Sequence, residues 1–587
     1  MSTLAFPALL LVFFRAFESD WRRVLCLAVA AFAVSFLLRL SSLFFAMNSM
    51  IGLRSTLPTL VAAAVYAIGR RRVRTIATGI MLGVSLFLST EQGLAVTAAY
   101  AIVGFVAALR REDRRAKLIE WGATLAIAVL TLMVALTCVA GITGARGALR
   151  YNFRLVPMDQ YWYFGAPPNT FVPSWGAGFR MLFAAPHIGL PPVLAIAAAV
   201  YYLRRFWGAT DAGTRRWSIS LAMLLAYGAI SCTSLLGVFT LSYVEPCERI
   251  LLLVALLELS RFAAASDARE GRRGWLGSPR AVTVVALGVT AWAFASIPLL
   301  RAALATSVPA IVVDYGLHHE RFGVNGIWPE TLREAQAAID SHREAGGRPP
   351  TLWSTYSGWI EARNGIFNPS FDYVIHALGP ANRRKYLETF RAQRPELVQT
   401  VRPSYTQYEP WIENDQWAFY DALLDWYDVS SRTPWSFFWE RRATPAPAPQ
   451  FLFGMRVPPN LPAVQLPPIP DSIATPVMLL EVDVEYEIHN PLHVLPIVGA
   501  LPRYLVGISG ASSALPISLD PYVSQTRFPL VIRAGERPTL SFATASLLPG
   551  ASWQPVSIDV YLRRLPAANQ VWLSDLFTRL SLRGDAP

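Results

Sequence analysis

Two carboxylates stand in polar breaks of an otherwise apolar stretch. Glu91 lies in Ser89-Thr90-Glu91-Gln92-Gly93, and Asp159 lies in Met158-Asp159-Gln160-Tyr161-Trp162-Tyr163-Phe164-Gly165. A carboxylate and an amide at membrane depth are costly unless they face a cavity or sit at the surface. Glu91 and Gln92 therefore either line a cavity or form a hairpin turn. In the second segment Asp159 and Gln160 are interleaved with Trp162 and Tyr163. Rings of this kind stack on the C–H faces of a sugar while polar groups bind its hydroxyls. The same aromatics would equally make an interfacial belt. Arg54 and Arg249 lie at ends of apolar runs. Each is placed to pair bidentately with a phosphate or to snorkel toward headgroups.

The elements that must hold these residues are apolar runs. A spanning helix needs about 20 apolar residues, because hydrocarbon satisfies no free backbone group. Runs of this kind recur up to about residue 306 and suggest about ten crossings. Clusters such as Arg70-Arg71-Arg72, Arg110-Arg111, Arg204-Arg205 and Arg215-Arg216 fall in alternate connectors. Positive charge stays on the cytoplasmic side. That rule places residues 143–187, a long connector, outside, together with everything after residue 306.

The formal charge of +12 is carried almost wholly by arginine, with Lys117 and Lys385 the two lysines. Because much of it sits in short connectors, it reads as topology, and nucleic acid is not an expected partner. The four cysteines include no CxxC pair, and none follows Cys247. A disulfide framework or a thiolate metal centre is not expected. His318-His319-Glu320 has no third spaced ligand, so no metal site is assigned. No Walker loop and no GxGxxG fingerprint in its context is present.

Past residue 306 the composition becomes that of a globular protein. Helical and strand patterns alternate over 331–442, which predicts a small α/β domain. Strand candidates there are 351–356, 371–375 and 396–401, with a closing hairpin at 427–439. Residues 443–470 are Pro-rich and read as a stiff linker. Alternating runs at 477–488, 503–508, 528–533, 539–543 and 556–563 predict an antiparallel β-sandwich over 471–587. The fold class expected is thus an α-helical polytopic membrane bundle (1–306), an extracytoplasmic α/β domain (307–442) and a C-terminal sandwich, in the inner (plasma) membrane.

Several segments resemble the C-type superfamily of polytopic membrane glycosyltransferases. Arg54-Ser55-Thr56-Leu57-Pro58 enters an apolar run that ends at Arg70–Arg74. Thr78-Gly79-Ile80-Met81-Leu82-Gly83-Val84-Ser85 then leads to Ser89–Gly93. Tyr161–Gly165, Arg394-Pro395-Glu396-Leu397-Val398, Phe419-Tyr420 and Trp439-Glu440-Arg441-Arg442 are also similar. The resemblance implies transfer of a sugar from a polyprenyl-phosphate donor to an envelope glycan or protein acceptor. Glu91 or Asp159 would then act as base. Arg54 or Arg249 would hold the phosphate, and Gln92, Gln160, Trp162 and Tyr163 the sugar. A divalent metal is compatible with the family, though none is required. The family's usual acidic residue in the first outer loop has no counterpart in 48–56. That departure points either to a missing leading segment or to a non-catalytic membrane protein that binds a glycan or a partner.

Overall fold

The computed structural model describes residues 58–110, 114–163, 174–236, 329–355, 364–365, 374–403, 413–469 and 476–581, a few positions within these ranges excepted, with scattered positions in 11–28 and 244–261. Contacts divide the chain into two compact units. One is helical: residues 1–152, 178–235 and 239–312. The other is β-rich: residues 313–587 together with 153–177 and 236–238.

In the helical unit α1 (Arg71–Leu88), α2 (Thr90–Ala108), α3 (Arg114–Arg150), most of α5 (Trp175–Ala184, from Gly178 on), α6 (Pro186–Gly208) and α7 (Ala212–Ser231) follow in order, and α4 (Val156–Tyr163) belongs to the β-rich unit. Ser89 alone joins α1 to α2. Its extended backbone (φ −155°, ψ 102°) breaks the helix, and its hydroxyl accepts from the Gln92 amide to cap α2. So close a hairpin requires Gly93, since a Cβ there would lie 2.4 Å from the Leu86 Cα. Gly79 and Gly83 let α1 press against Ile127, Ala128 and Thr131 of α3 in the same way. The core joins Val96, Ala99 and Val103 of α2 to Leu221, Leu224 and Leu225 of α7.

The expected bundle of about ten crossings is corrected here. Among the described residues two helical stretches are long and apolar enough to cross a membrane, Thr90–Ala108 and Arg114–Asp159. Two of the other described apolar helices differ in specific ways. In α7 Leu221, Ala222, Leu224 and Leu225 are all buried in protein, with Ser218 and Ser220 beside them. In α6 Pro191 and Pro192 interrupt the apolar run. A core helix and a lipid-facing helix draw on the same residue types. The expected runs at 4–14, 24–47 and 282–300 fall largely or wholly outside the described residues.

The β-rich unit holds three four-stranded sheets. The first is mixed, in the order β1-β2-β4-β3. Here β1 (Leu352–Ser354) runs parallel to β2 (Leu397–Val401), and the hairpin β3 (Tyr427–Arg432) and β4 (Ser436–Arg441) completes it. Helices α8 (Pro329–Gly346), α9 (Pro380–Gln393) and α10 (Trp417–Trp426) accompany this sheet. The strand expected at 371–375 is instead a 3₁₀ turn, Val374–His376.

The other two sheets form the sandwich. One has the order β10-β7-β12-β5, from β5 (Gln450–Arg456), β7 (Val477–His489), β10 (Gln525–Arg533) and β12 (Ser552–Arg563). The second has the order β6-β11-β8-β9, from β6 (Ala463–Gln465), β8 (Arg503–Ser509), β9 (Ile517–Ser518) and β11 (Thr539–Ala545). Val482, Val484, Val506, Phe528, Leu540 and Ile558 fill the space between them. Residues 443–470 are therefore not merely a linker, because β5 pairs with β12 and β6 with β11. A last helix, α11 (Gln570–Ser581), carries Trp572 back to the mixed sheet. Trp572 is fully buried, stacks near Trp417, meets Trp439 edge-on, and donates to Glu413.

On the outer face of β7, Glu481 and Asp483 are buried and not solvated. Arg563, 1 % exposed, pairs with Glu481, Asp421 and Asp425, and Arg527 pairs with Asp483 at 3.0 Å. Burial pushes the Asp421 and Glu481 carboxyls up, against the pull of Arg563.

Candidate functional site: an aromatic groove at one end of the sandwich

The end of β7 and the start of β12 pair Ile488 with Trp553 and Glu487 with Gln554. Alternation along a strand sends neighbouring side chains to opposite faces. The turn 521–524, the loop 460–462 and His493 complete a groove of about 1460 Å³. Pockets for compact small molecules are about 300–1,000 Å³, so this one suits an extended ligand.

Aromatic side chains line it, with Tyr486 buried behind Trp553. Trp553 meets Tyr486 edge-on at 6.1 Å and Phe542 at 5.5 Å, and its indole N–H donates to the Ala543 carbonyl at 2.8 Å. That bond fixes the ring, which stays partly exposed. The rim is polar. Gln554 donates to Glu487 at 3.2 Å, His489 is exposed, and a His493 ring nitrogen lies 3.0 Å from the Asn490 carbonyl. Among the described residues the lining includes Glu487 as its one carboxylate and neither Lys nor Arg. A neutral polar ligand fits that balance better than an anionic one.

One wall is held from behind by a charged lock. Asp159, 1 % exposed, pairs with Arg383 at 2.9 Å, accepts from the Gly379 amide, and accepts from the Trp162 indole at 3.3 Å. Arg383 also pairs with Asp520 and lies over the Trp162 ring at 5.0 Å. Tyr486, in the groove, donates to the Asp520 carbonyl at 2.8 Å. Tyr522, also in the groove, donates to the Met158 carbonyl at 2.8 Å. Burial pushes the Asp520 carboxyl up while Arg383 opposes it, and burial likewise pushes the Tyr522 hydroxyl up, which keeps it a neutral donor.

The residues singled out in the sequence are thus divided. Asp159 and Trp162 meet, as their spacing on one helical turn requires. Asp159 is not an open base: three donors already converge on its carboxylate. Glu91 lies exposed in the first turn of α2, in the helical unit. The two candidate bases therefore belong to different units. Gln92 accepts from the Tyr227 hydroxyl at 2.5 Å, a tie between α2 and α7. Gln160 and Tyr163 have their backbone in α4, and their side chains lie outside the described residues. Arg54, Arg249 and the 318–320 cluster also lie outside them. Among the described residues no group of three potential metal ligands occurs.

Arg383, Asp520, Tyr522 and the groove residues Tyr486 and Trp553 were not found from sequence. An isolated Arg in an amphipathic helix, or an aromatic in an alternating strand, carries no local mark of a partner hundreds of residues away. No protein-family profile, curated protein or solved structure matches the chain.

Proposed function

We propose that this chain is a membrane-anchored glycan-binding protein. Its helical unit sits in the inner (plasma) membrane, and its β-rich unit binds a neutral polysaccharide chain of the cell envelope on the extracytoplasmic side. The observation that carries the reading is the groove lined by the partly exposed rings of Trp553 and Phe542 together with Glu487, Gln554 and His489. Aromatic faces suit sugar C–H surfaces, and amide, carboxylate and imidazole groups suit hydroxyls.

Membrane anchoring is supported by apolar side chains turned outward. Val129, Leu130, Val134, Val139 and Ile142 of α3 are all more than half exposed, as are Leu194 and Ile196 of α6. Exposed apolar side chains in this number are stable against lipid or another protein and not against water. Sugar transfer from a polyprenyl-phosphate donor has less support. It needs a base free to take the acceptor proton, and Asp159 is committed to Arg383, Gly379 and Trp162.

The test uses the full chain in lipid nanodiscs, because Asp159 and Asp520 come from opposite ends of the β-rich unit's sequence and a fragment starting near residue 307 would lack half the lock. Binding to an array of immobilised neutral and acidic polysaccharides is measured for the parent chain and for Trp553→Ala. Retention of neutral chains, weakened about tenfold (~1.4 kcal/mol) by the substitution, is expected. Release of free polyprenyl phosphate from a lipid-linked sugar by the same preparation would overturn the binding-only reading.

A further inference from the structure

We propose that the β-rich unit carries a second binding site, for the dianionic phosphate group of a small phosphorylated sugar, at the end of the mixed sheet where α9 and α10 finish. The sheet register brings its parts together. The start of β2 pairs with the end of β4, Leu397 with Glu440, and the end of β4 pairs with the start of β3, Arg441 with Tyr427. Helix α9 leads toward β2 through Arg394, and α10 passes directly into β3 at Tyr427. Arg391, Arg394, Arg441 and Arg442 thereby line one pocket of about 410 Å³, with Trp426 beside them and, among the described residues, no carboxylate in the lining. The connectors at this end of these elements, 394–396 and 442–449, are all described.

The charge of these arginines is only partly balanced. Arg442 lies 3.6 Å from Asp428 and donates to the Leu424 and Tyr427 carbonyls. Arg441 donates to the Arg394 carbonyl, and Arg394 lies over the Trp426 ring at 5.6 Å. Among the described residues, Arg391, Arg394 and Arg441 have no carboxylate within ion-pair distance. The neighbouring acids are engaged elsewhere: Asp421 and Asp425 with Arg563, Glu396 with Arg348, and Glu440 beside His342 at 3.8 Å. Asp428 offsets one unit of charge, and the C-terminal ends of α9 and α10 about half a unit each. Roughly two positive charges remain, and a phosphate monoester carries about −1.5 to −2 at neutral pH. A single carboxylate would leave much of that excess standing.

A second observation singles out Arg394. It ends α9 in the left-handed backbone region, at φ 44° and ψ 60°. Glycine is the usual residue there, because a Cβ disfavours the conformation. An arginine in that place carries a backbone cost that a contact to a ligand offsets. Planar guanidinium groups grip phosphate oxygens bidentately. Arg391, Arg394 and Arg441 are exposed, so a ligand reaches them without displacing an ion pair. The volume falls in the range of about 300–1,000 Å³ that holds small molecules, which leaves room for a body attached to the phosphate. Trp426 is partly exposed and offers a face to a sugar ring. The inference depends neither on the aromatic groove nor on membrane anchoring.

The experiment titrates the full chain in neutral detergent by isothermal calorimetry with glucose 6-phosphate, inorganic phosphate or glucose, at neutral pH and fixed chloride so that screening is constant. Glucose 6-phosphate is expected to bind and glucose not. Tighter binding of glucose 6-phosphate than of inorganic phosphate assigns the phosphate group to a sugar, and equal affinity assigns it to free phosphate. Arg394→Gly suits the left-handed backbone, so it should melt close to the parent. It should nevertheless bind glucose 6-phosphate about tenfold more weakly. Arg391→Gln, a change on an exposed helix surface, should weaken binding several-fold. Failure of the parent to bind either phosphate overturns the proposal, as does glucose binding as tightly as glucose 6-phosphate or an affinity unchanged in both variants.

Discussion

Replacing Arg383 by Met should loosen the β-rich unit more than almost any other single change near the groove. The guanidinium lies between two carboxylates, and the side chains of Asp159, Arg383 and Asp520 are only 1, 12 and 11 % exposed. Methionine keeps most of the packing but leaves both acids without their cation. Breaking a buried pair in this way costs about 3–5 kcal/mol. At about 2–4 °C per kcal/mol for large domains, the melting temperature should fall by roughly 6–20 °C. The loss should also depend on pH. Burial already raises the Asp520 carboxyl, with Arg383 opposing and Asp159 reinforcing. Without Arg383 the folded-state value rises further above the unfolded one. The native state then takes up its proton first as pH falls, so stability is regained toward acid and lost as pH rises through the folded value. Thermal unfolding of the full chain at pH 5 and pH 8 measures this, with hydrogen exchange of 153–163 and 374–383 assigning the change to the lock. Adding Asp520→Asn to Arg383→Met should recover part of the loss. A penalty below about 1 kcal/mol, flat with pH and not rescued by Asp520→Asn, would refute the reasoning.

The same logic applies with a larger imbalance at Arg563, which faces Glu481, Asp421 and Asp425. Arg563→Met should cost at least the same ~3–5 kcal/mol, and because burial raises Asp421 and Glu481, the deficit measured by thermal unfolding should be smaller at pH 5 than at pH 8. Gly93→Ala should part α1 from α2 at a cost of about 1–3 kcal/mol, since its methyl group would meet the Leu86 backbone at 2.4 Å; a cysteine pair across the hairpin that cross-links in the parent should do so more slowly in the variant.

Local pattern carried the β-rich unit well. The alternating runs at 477–488, 503–508 and 539–543 coincide with β7, β8 and β11 almost to the residue. Residues 380–391 anticipate α9, and the hairpin at 427–439 matches β3 and β4. Each is dictated by spacing along a few turns or strand residues. What failed depends on distant partners. The acidic positions of β7 have the pattern of a solvated face, yet α10 and two arginines cover them. The proline content of 443–470 suggested a spacer, but Pro is compatible with edge strands, and β5 and β6 both end their sheets. In the apolar half, hydropathy cannot separate α7, whose leucines are buried in protein, from α3, whose apolar side chains point outward. Asp159 and Trp162 stood out as a polar-aromatic cluster. Their true neighbours, Gly379 and Arg383, lie 220 and more positions further along.

That separation bears on how the protein is made. Met158 and Tyr522 touch although 364 positions apart. At about 5–20 residues per second, ribosomes take roughly 20–70 s to deliver the second after the first. Arg383 follows Asp159 by 224 positions, so until it arrives that carboxylate has only the Trp162 indole beside it. A nascent chain stalled before Arg383 keeps α4, the helix of that carboxylate, unclosed, and premature termination anywhere short of Asp520 yields a product that limited proteolysis should cut within 153–163.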